Sequence, residues 1–171
     1  MGDPRRLRNK SERPKKLWDE DRLTEDKGLK STYGLKNMRE LWMATAQLKK
    51  YRRETRRLLS ITEDARKVDA VKILTKLVKL GILKQTSTLD EILSLEPRDM
   101  LERRLQTMVM RKGLANSMAQ SRQLITHGFI AVNGSKVTKP GYVVTLEDNL
   151  SYAKQIDITV KPQQAVAEVK A

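Results

Sequence analysis

The sequence predicts an α+β fold, with a helical N-terminal part followed by a small helix–helix–hairpin unit closed by a short antiparallel sheet. Three observations carry this. From 37 to 111, apolar residues recur every three or four positions, the period of a helix with one buried face. Gly113 then supplies a left-handed stop and Ser117 a fresh cap. After Gly128 the period gives way to two apolar runs joined by Asn133-Gly134, a dipeptide suited to a two-residue type I′ hairpin.

Taken in order, residues 1–21 (MGDPRRLRNKSERPKKLWDED) are rich in Arg and Lys, broken by Pro4 and Pro14, and nearly without periodic apolar residues. Such an arm buries too little surface to offset its ordering entropy and is expected to be disordered in the free chain. Trp18 is its one anchor, read as packing on the helices that follow. A short helix over 22–35 ends near Tyr33-Gly34. Asn37, three residues before Glu40, forms a capping pattern and opens a long helix to about Leu59. Met38, Leu41, Thr45, Leu48 and Leu59 make its inward stripe, with Trp42 beside it. Thr62 is expected to cap the next helix, with Glu63 and Asp64 in the first turn favourable to the dipole. Its face is Val68, Val71, Leu74, Leu77 and Val78, and it stops at Gly81. A short helix over 89–95 follows a cap at Ser87 or Thr88.

Pro97, tolerated in a first helical turn, starts the helix that carries Leu101, Leu105, Met108 and Val109 on one face. Arg104, Thr107 and Arg111 line up beside that stripe and Arg103 lies opposite. In the next helix Ser117 and Gln120 form a capping box. Met118, Leu124 and Ile125 face inward, while Arg122, Gln123 and Thr126 point elsewhere. Ser121, within the inward stripe, is expected to bond back to the carbonyl of residue 117. Residues 129–132 read as a strand, and Lys136 and Val137 begin the return. After a turn at Pro140-Gly141, residues 142–146 read as a third strand; a turn at Glu147-Asp148-Asn149 leads to 150–152. The implied organisation is an arm (1–21), a helical domain (22–100), a small domain (101–160) and a frayed tail (161–171).

The charge pattern bounds the function. Lys and Arg number 35 against 21 acids, a net charge of +14. Residues 1–60 carry 18 basic and 9 acidic side chains, whereas 61–100 carry 7 of each and 101–160 carry 8 and 4. Two basic stretches around a neutral middle point to a polyanion held by two surfaces. Lys49, Lys50, Arg52, Arg53, Arg56 and Arg57 crowd the second half of the long helix; with only Glu54 to offset them they repel one another unless a polyanion or outward snorkelling relieves the strain. Only 7 residues are aromatic, which argues against stacked-base platforms as the main mode of contact; stacking is the alternative to packing for Trp18. The absence of cysteine excludes disulfides and thiolate zinc sites and fits a reducing compartment. No apolar run approaches the ~20 residues of a membrane span, and no apolar segment follows the basic start as a secretory signal requires.

The segments ERRLQ (102–106), RKGLA (111–115), RQLITHG (122–128) and VNG (132–134), at fixed spacing, resemble the small RNA-binding domain named after the fourth protein of the small ribosomal subunit. Upstream, YGLKNMRELW (33–42) is similar to the segment that separates archaeal and eukaryotic members of that ribosomal family from bacterial ones. The arm matches the family's GDP-basic start and its KxW-type segment. The chain is thereby identified as a member of the archaeal branch, without the zinc-binding cysteines of many bacterial members. It departs from the family in Ser121 for a common alanine, Phe129 for a frequent histidine, and Glu147-Asp148-Asn149 for a Pro-Gly-Asp turn.

The resemblance implies that RNA meets Arg103, Arg104, Arg111, Lys112, Ser117, Arg122, Gln123, His127 and Lys136, to which the basic helix (Lys49 to Arg57, as named above) and Arg5, Arg6 and Arg8 of the arm are added. Each has a simpler reading: Arg103 solvated, Ser117 only a cap, Gln123 facing water, His127 capping carbonyls at a helix end. Arg103, Arg104 and Arg122 lie off the apolar stripes and are expected to be dispensable to the fold. With one histidine and no nucleophile or phosphate-loop motif, no catalytic constellation and no metal or cofactor site is evident. The family implies a structural protein of the small ribosomal subunit, cytoplasmic, that binds a junction of its RNA early in assembly. It also implies a place near the messenger RNA entry path, against another small-subunit protein, with an influence on decoding accuracy. An RNA-modifying enzyme using this domain as a clamp, a free RNA-binding regulator and a ribosome-rescue factor are the alternatives.

Overall fold

The computed structural model describes residues 11–154, the side chains of 63–65 excepted. Arg5, Arg6 and Arg8, the tail over 161–171 and the first-turn side chains Glu63 and Asp64 lie outside the described residues. The fold is α+β, with the order α1 (Glu20–Thr32), α2 (Met38–Leu59), α3 (Glu63–Lys79), α4 (Leu89–Ser94), α5 (Pro97–Glu102), α6 (Leu105–Arg111), α7 (Met118–Thr126), β1 (Ile130–Val132), β2 (Ser135–Lys136) and β3 (Leu150–Tyr152).

Helices α1 to α5 enclose one apolar cluster, built from Tyr33, Leu35, Leu41, Leu48, Leu77, Ile92, Met100 and Leu101 among others. Asn37 caps α2 as its sequence requires, its side chain accepting from the Glu40 N–H. The buried stripe runs through Leu41, Ala44, Leu48, Thr55 and Leu58, so the helix ends with Leu58 inward and Leu59 exposed, the reverse of the expected register. In α3 the inward face is Ala70, Ile73, Leu74 and Leu77; Val68 and Val71 are exposed. The Thr62 side chain makes no cap bond. Thr88 and Glu91 form a reciprocal capping box for α4. Trp18 is 90% exposed and packs on no helix, which overturns the anchor reading.

The helix expected from Pro97 to Gly113 is broken. It stops at Glu102 and restarts at Leu105, and the two arginines between them pair with residues 142–144. Val144 donates to the Arg103 carbonyl (2.9 Å) and Leu105 donates to the Tyr142 carbonyl (2.7 Å). The Leu101 carbonyl, which the Leu105 N–H no longer reaches, accepts instead from the Arg104 N–H (3.2 Å) and the Thr107 hydroxyl (2.8 Å). Residues 142–146 are therefore no strand of the sheet; they brace the break.

Beyond the break, α6, α7 and the sheet enclose a second cluster: Leu105, Val109, Ala115, Leu124, Ile125, Ile130, Val132 and Val144. The sheet is antiparallel in the order β2-β1-β3, with β1 buried along its length. Asn133 (φ 50°) and Gly134 (φ 77°) both take positive φ, as a type I′ turn demands. Asp148 holds the divergent turn before β3 by accepting from the Thr145 N–H and the Asn133 amide, both at 2.8 Å. The backbone bond from Thr145, against slight burial, keeps its carboxyl below the usual range. Ser121 bonds to the Gln106 carbonyl (2.6 Å) rather than back along its own helix, so its hydroxyl ties α7 to α6. Among the described residues, no helix is long and apolar enough to cross a membrane.

Candidate nucleic-acid interface

The first cationic surface follows from the phase of α2. With Leu48, Thr55 and Leu58 turned into the core, Lys49, Lys50, Arg53, Arg56 and Arg57 are left on exposed sides. Five exposed cations lie within nine positions, and the single acid among them, Glu54, stands 3.9 Å from Lys50 in a loose pair. Lys49 and Arg53, with Met43, Ala46 and Gln47, floor an open groove that Glu12 of the arm also borders. Arg52 differs from its neighbours: it is half-buried and its guanidinium donates to the Leu95 carbonyl, tying α2 to the end of α4.

The second surface is built by α6, α7 and the hairpin. Gly113 (φ 73°) lets the chain reverse after Lys112, which is exposed. Ser117 caps α7 by accepting from the Gln120 N–H at 3.2 Å, while the Gln120 side chain accepts from the Asn116 N–H in place of completing the box. Gln123 and His127 are exposed on α7. The His127 ring is tilted 41° to Phe129 with centroids 6.4 Å apart. Lys136 crosses directly over Gly128: a Cβ there would fall 1.9 Å from the lysine Cε. Arg111 is half-exposed and forked onto Glu102 at 3.0 and 3.3 Å. Hydrogen bonding to Glu102 raises its already high pKa, so it stays a cation.

Like Arg52, three further sequence-predicted contacts are engaged inside the molecule. Arg104 is 7% exposed and pairs with Glu40 at 2.7 Å. Arg122 pairs with the other Glu40 oxygen at 2.5 Å and reaches the Gln106 side chain and the Gly34 carbonyl. Arg103 folds over Gly81 and donates to its carbonyl through Nε (3.1 Å) and through Nη2. The expectation that these three are dispensable to the fold is corrected. Their positions off the apolar stripes place them at a junction between two units, not in water.

Sequence reasoning missed the residues that form this junction. Glu40 is read there as half of a capping pattern, but its carboxylate leaves the cap and crosses to α6 and α7. Burial raises its pKa, and the bonds from Arg122 and Arg104 outweigh this and hold it below the usual carboxylate range. Gln106, fully buried, donates to the carbonyls of Gly34 (3.1 Å) and Met118 (3.0 Å). Tyr33 donates to Glu102 at 2.9 Å, and burial with that bond pushes its hydroxyl up to about 12. No sequence pattern joins residues some 70 positions apart.

Among the described residues, no cluster of His, Asp or Glu could hold a metal ion. Two rims carrying Lys and Arg stand on helices and a hairpin, an arrangement of the kind that meets phosphate backbones. Residues 103–150 match the S4 domain family. The chain is 45% identical over 166 residues to the small ribosomal subunit protein uS4 of Ignicoccus hospitalis, covering 96% of this chain and all of that protein. It is 49% identical over 152 residues to the uS4 proteins of Saccharolobus solfataricus and Saccharolobus islandicus, covering 88% of this chain and 84% of each. With both the upstream helices and the S4 domain inside these matches, the chain belongs to the uS4 family of small ribosomal subunit proteins.

Proposed function

We propose that this chain is a structural, non-enzymatic constituent of the cytoplasmic small ribosomal subunit that grips ribosomal RNA with its two cationic surfaces. The observation that carries the reading is the exposed row Lys49, Lys50, Arg53, Arg56 and Arg57 on α2, set against an S4 domain whose own rim presents Lys112, Gln123, His127 and Lys136. Folded RNA is recognised chiefly by shape and phosphate position, and such rims suit that mode. The contacts proposed also include Arg111 and Ser117 at the edge of the second rim and Arg5, Arg6 and Arg8 of the arm. Arg52, Arg103, Arg104 and Arg122 act mainly by holding the surfaces in place.

The finer reading follows the family resemblance. The protein binds early, nucleates folding of a multi-helix RNA junction, and sits against a neighbouring small-subunit protein near the messenger entry path, where it influences decoding accuracy. Sedimentation of tagged protein through a sucrose gradient tests the central claim. Stoichiometric recovery with mature small subunits is expected. Recovery only in free fractions or with large subunits would favour a regulator or a rescue factor, and uridine isomerisation by the purified chain would favour an enzyme.

A further inference from the structure

Two apolar clusters with no buried residue in common must be held at a fixed angle if their cationic rims are to meet one RNA. The backbone crosses from one cluster to the other through the break at residues 103–104. Among the described residues, Met118 is the hydrophobic side chain beyond the break that packs on the first cluster, while Leu146 lies against Gly81 and its N–H donates to the Lys79 carbonyl at 2.9 Å. The charged part of the junction has Glu40 as its node. Each carboxylate oxygen takes its short bond from a different arginine: Oε2 from Arg104 at the start of α6 (2.7 Å) and Oε1 from Arg122 on α7 (2.5 Å), with a longer bond from Arg122 to Oε2 (3.3 Å). The carboxylate side chain is 14% exposed and the Arg104 side chain 9%, so water screens the pairs little. Two charge-assisted bonds aimed at two points fix direction as well as distance.

Glu40 lies in the first turn of α2, the helix that carries the first cationic row. At 1.5 Å of rise per residue, Lys49 and Arg57 stand about 14 and 25 Å further along the axis. A tilt of ~10° at the Glu40 end would therefore move those cations by about 2–4 Å, comparable to the whole length of a lysine–phosphate hydrogen bond. Without the carboxylate, the Arg104 and Arg122 guanidiniums, both directed at the space it occupies, repel each other and favour such a tilt.

We propose that Glu40 is a positioning residue for RNA binding: its carboxylate, clasped by Arg104 and Arg122, sets the angle between the α2 row and the S4-domain rim, so that both engage one RNA at once. This rests on the ribosomal RNA reading above. Two joined surfaces bind about 10²–10⁴ more tightly than either alone when their spacing matches the target, and little better when it does not, so loosening the joint is expected to weaken binding by at least about tenfold.

The chain has no cysteine, so a pair of nitroxide labels at Ser60→Cys and Ser135→Cys, both exposed, reports the angle between the units without interference. Glu40→Gln is expected to broaden the inter-label distance distribution while the thermal transition stays cooperative, and to lower affinity for small-subunit ribosomal RNA. A purely structural role would not move a further readout. In the wild type, where both rims engage at once and their affinities multiply, the losses from Lys49→Ala/Arg53→Ala and from Lys136→Ala should add in free energy to within about twofold in affinity, whereas in Glu40→Gln, where either rim binds alone, they should be strongly non-additive. Should Glu40→Gln fail to fold, Arg122→Met, which leaves one balanced Arg104–Glu40 pair, carries the same three measurements. A distance distribution as narrow as the wild type's, or an unchanged coupling between the two sets of cations, overturns the proposal. If the wild-type chain itself does not bind the RNA, the ribosomal reading falls instead, and the label distances alone decide whether Glu40 sets the angle.

Discussion

Glu40 and Arg122 stand 82 residues apart in the chain and meet at 2.5 Å across the junction of two apolar cores. Arg104 shares the same carboxylate from the other side at 2.7 Å. Breaking a buried ion pair from one side leaves the partner's charge desolvated, at a cost of about 3–5 kcal/mol when burial is complete. Arg104→Ala keeps the second arginine on Glu40, so a loss of about 2 kcal/mol is expected. Arg53→Ala and Arg56→Ala, at exposed positions, should stay within about 0.5 kcal/mol. Urea denaturation of the three variants checks this; equal midpoints for Arg104→Ala and Arg53→Ala would contradict the junction.

Acid should act on the same carboxylate. Its folded pKa is lowered, so it contributes stability that is complete above the ordinary glutamate value of 4.5 and lost as pH falls through the lower folded value. Glu40→Gln should be less stable than wild type at neutral pH, and the gap should close as pH falls below that window. A gap that is the same at pH 7 and at pH 3 would rule this out.

Alkali gives the opposite case at Tyr33. Its folded pKa is raised from 10.0 to about 12, chiefly by burial, so its contribution is complete below 10.0 and lost as pH rises through about 12. Stability measured between those limits should fall in the wild type and stay flatter in Tyr33→Phe. Parallel curves for the two proteins would show that the Tyr33 hydroxyl carries no such linkage.

Two glycines should respond in opposite directions. Gly128 has φ +74° and lies under the Lys136 side chain, so Gly128→Val meets both a strained backbone and a filled space, and damage to folding should precede any loss of RNA binding. Gly28 sits within α1 with nothing within 4 Å of an added Cβ, and Gly28→Ala should stabilise the chain by about 0.5–1 kcal/mol. Thermal melts that rank the two substitutions the other way would show that local backbone conformation is not the deciding factor.

Affinity for small-subunit ribosomal RNA should fall steeply with salt, because cations that neutralise phosphates release counterions; for 6–10 contacts on duplex DNA the loss is about 10³–10⁵ between 50 and 200 mM. Changing Lys49, Lys50, Arg53 and Arg56 together to Ala should reduce that slope and leave the melt nearly unchanged. A slope that ignores these four residues would move the interface away from α2.

Most of the local architecture was legible, because caps, stops and hairpin turns are written in adjacent residues: Asn37 before α2, Thr88 before α4, Gly113 and Ser117 between α6 and α7, and Asn133-Gly134. What the sequence hid depends on distant partners. Residues 97–112 contain no helix breaker after Pro97, yet pairing with residues 142–144 splits the helix at Arg103-Arg104. Apolar periodicity predicted Val68 and Val71 inward, but the neighbouring register through Ala70, Ile73 and Leu77 meets the core, and a helix face one step away has nearly the same pattern. For the site, the exposed row on α2 was legible as a run of like charge. The internal duty of Arg104 and Arg122 was not, since a cation off the apolar stripe is equally well placed for water or for a carboxylate brought in from another unit.

The separation into two cores also has a consequence for the order in which the chain matures. Every buried residue of the first core lies at or before Leu101, and every one of the second lies at or after Leu105. As synthesis proceeds from the N-terminus, the helical part can therefore close its core before the S4 domain has left the translating ribosome. Glu40 belongs to the part made first and both of its arginines to the part made second, so docking of the second core onto the first is expected to be the step that aligns the two cationic rims.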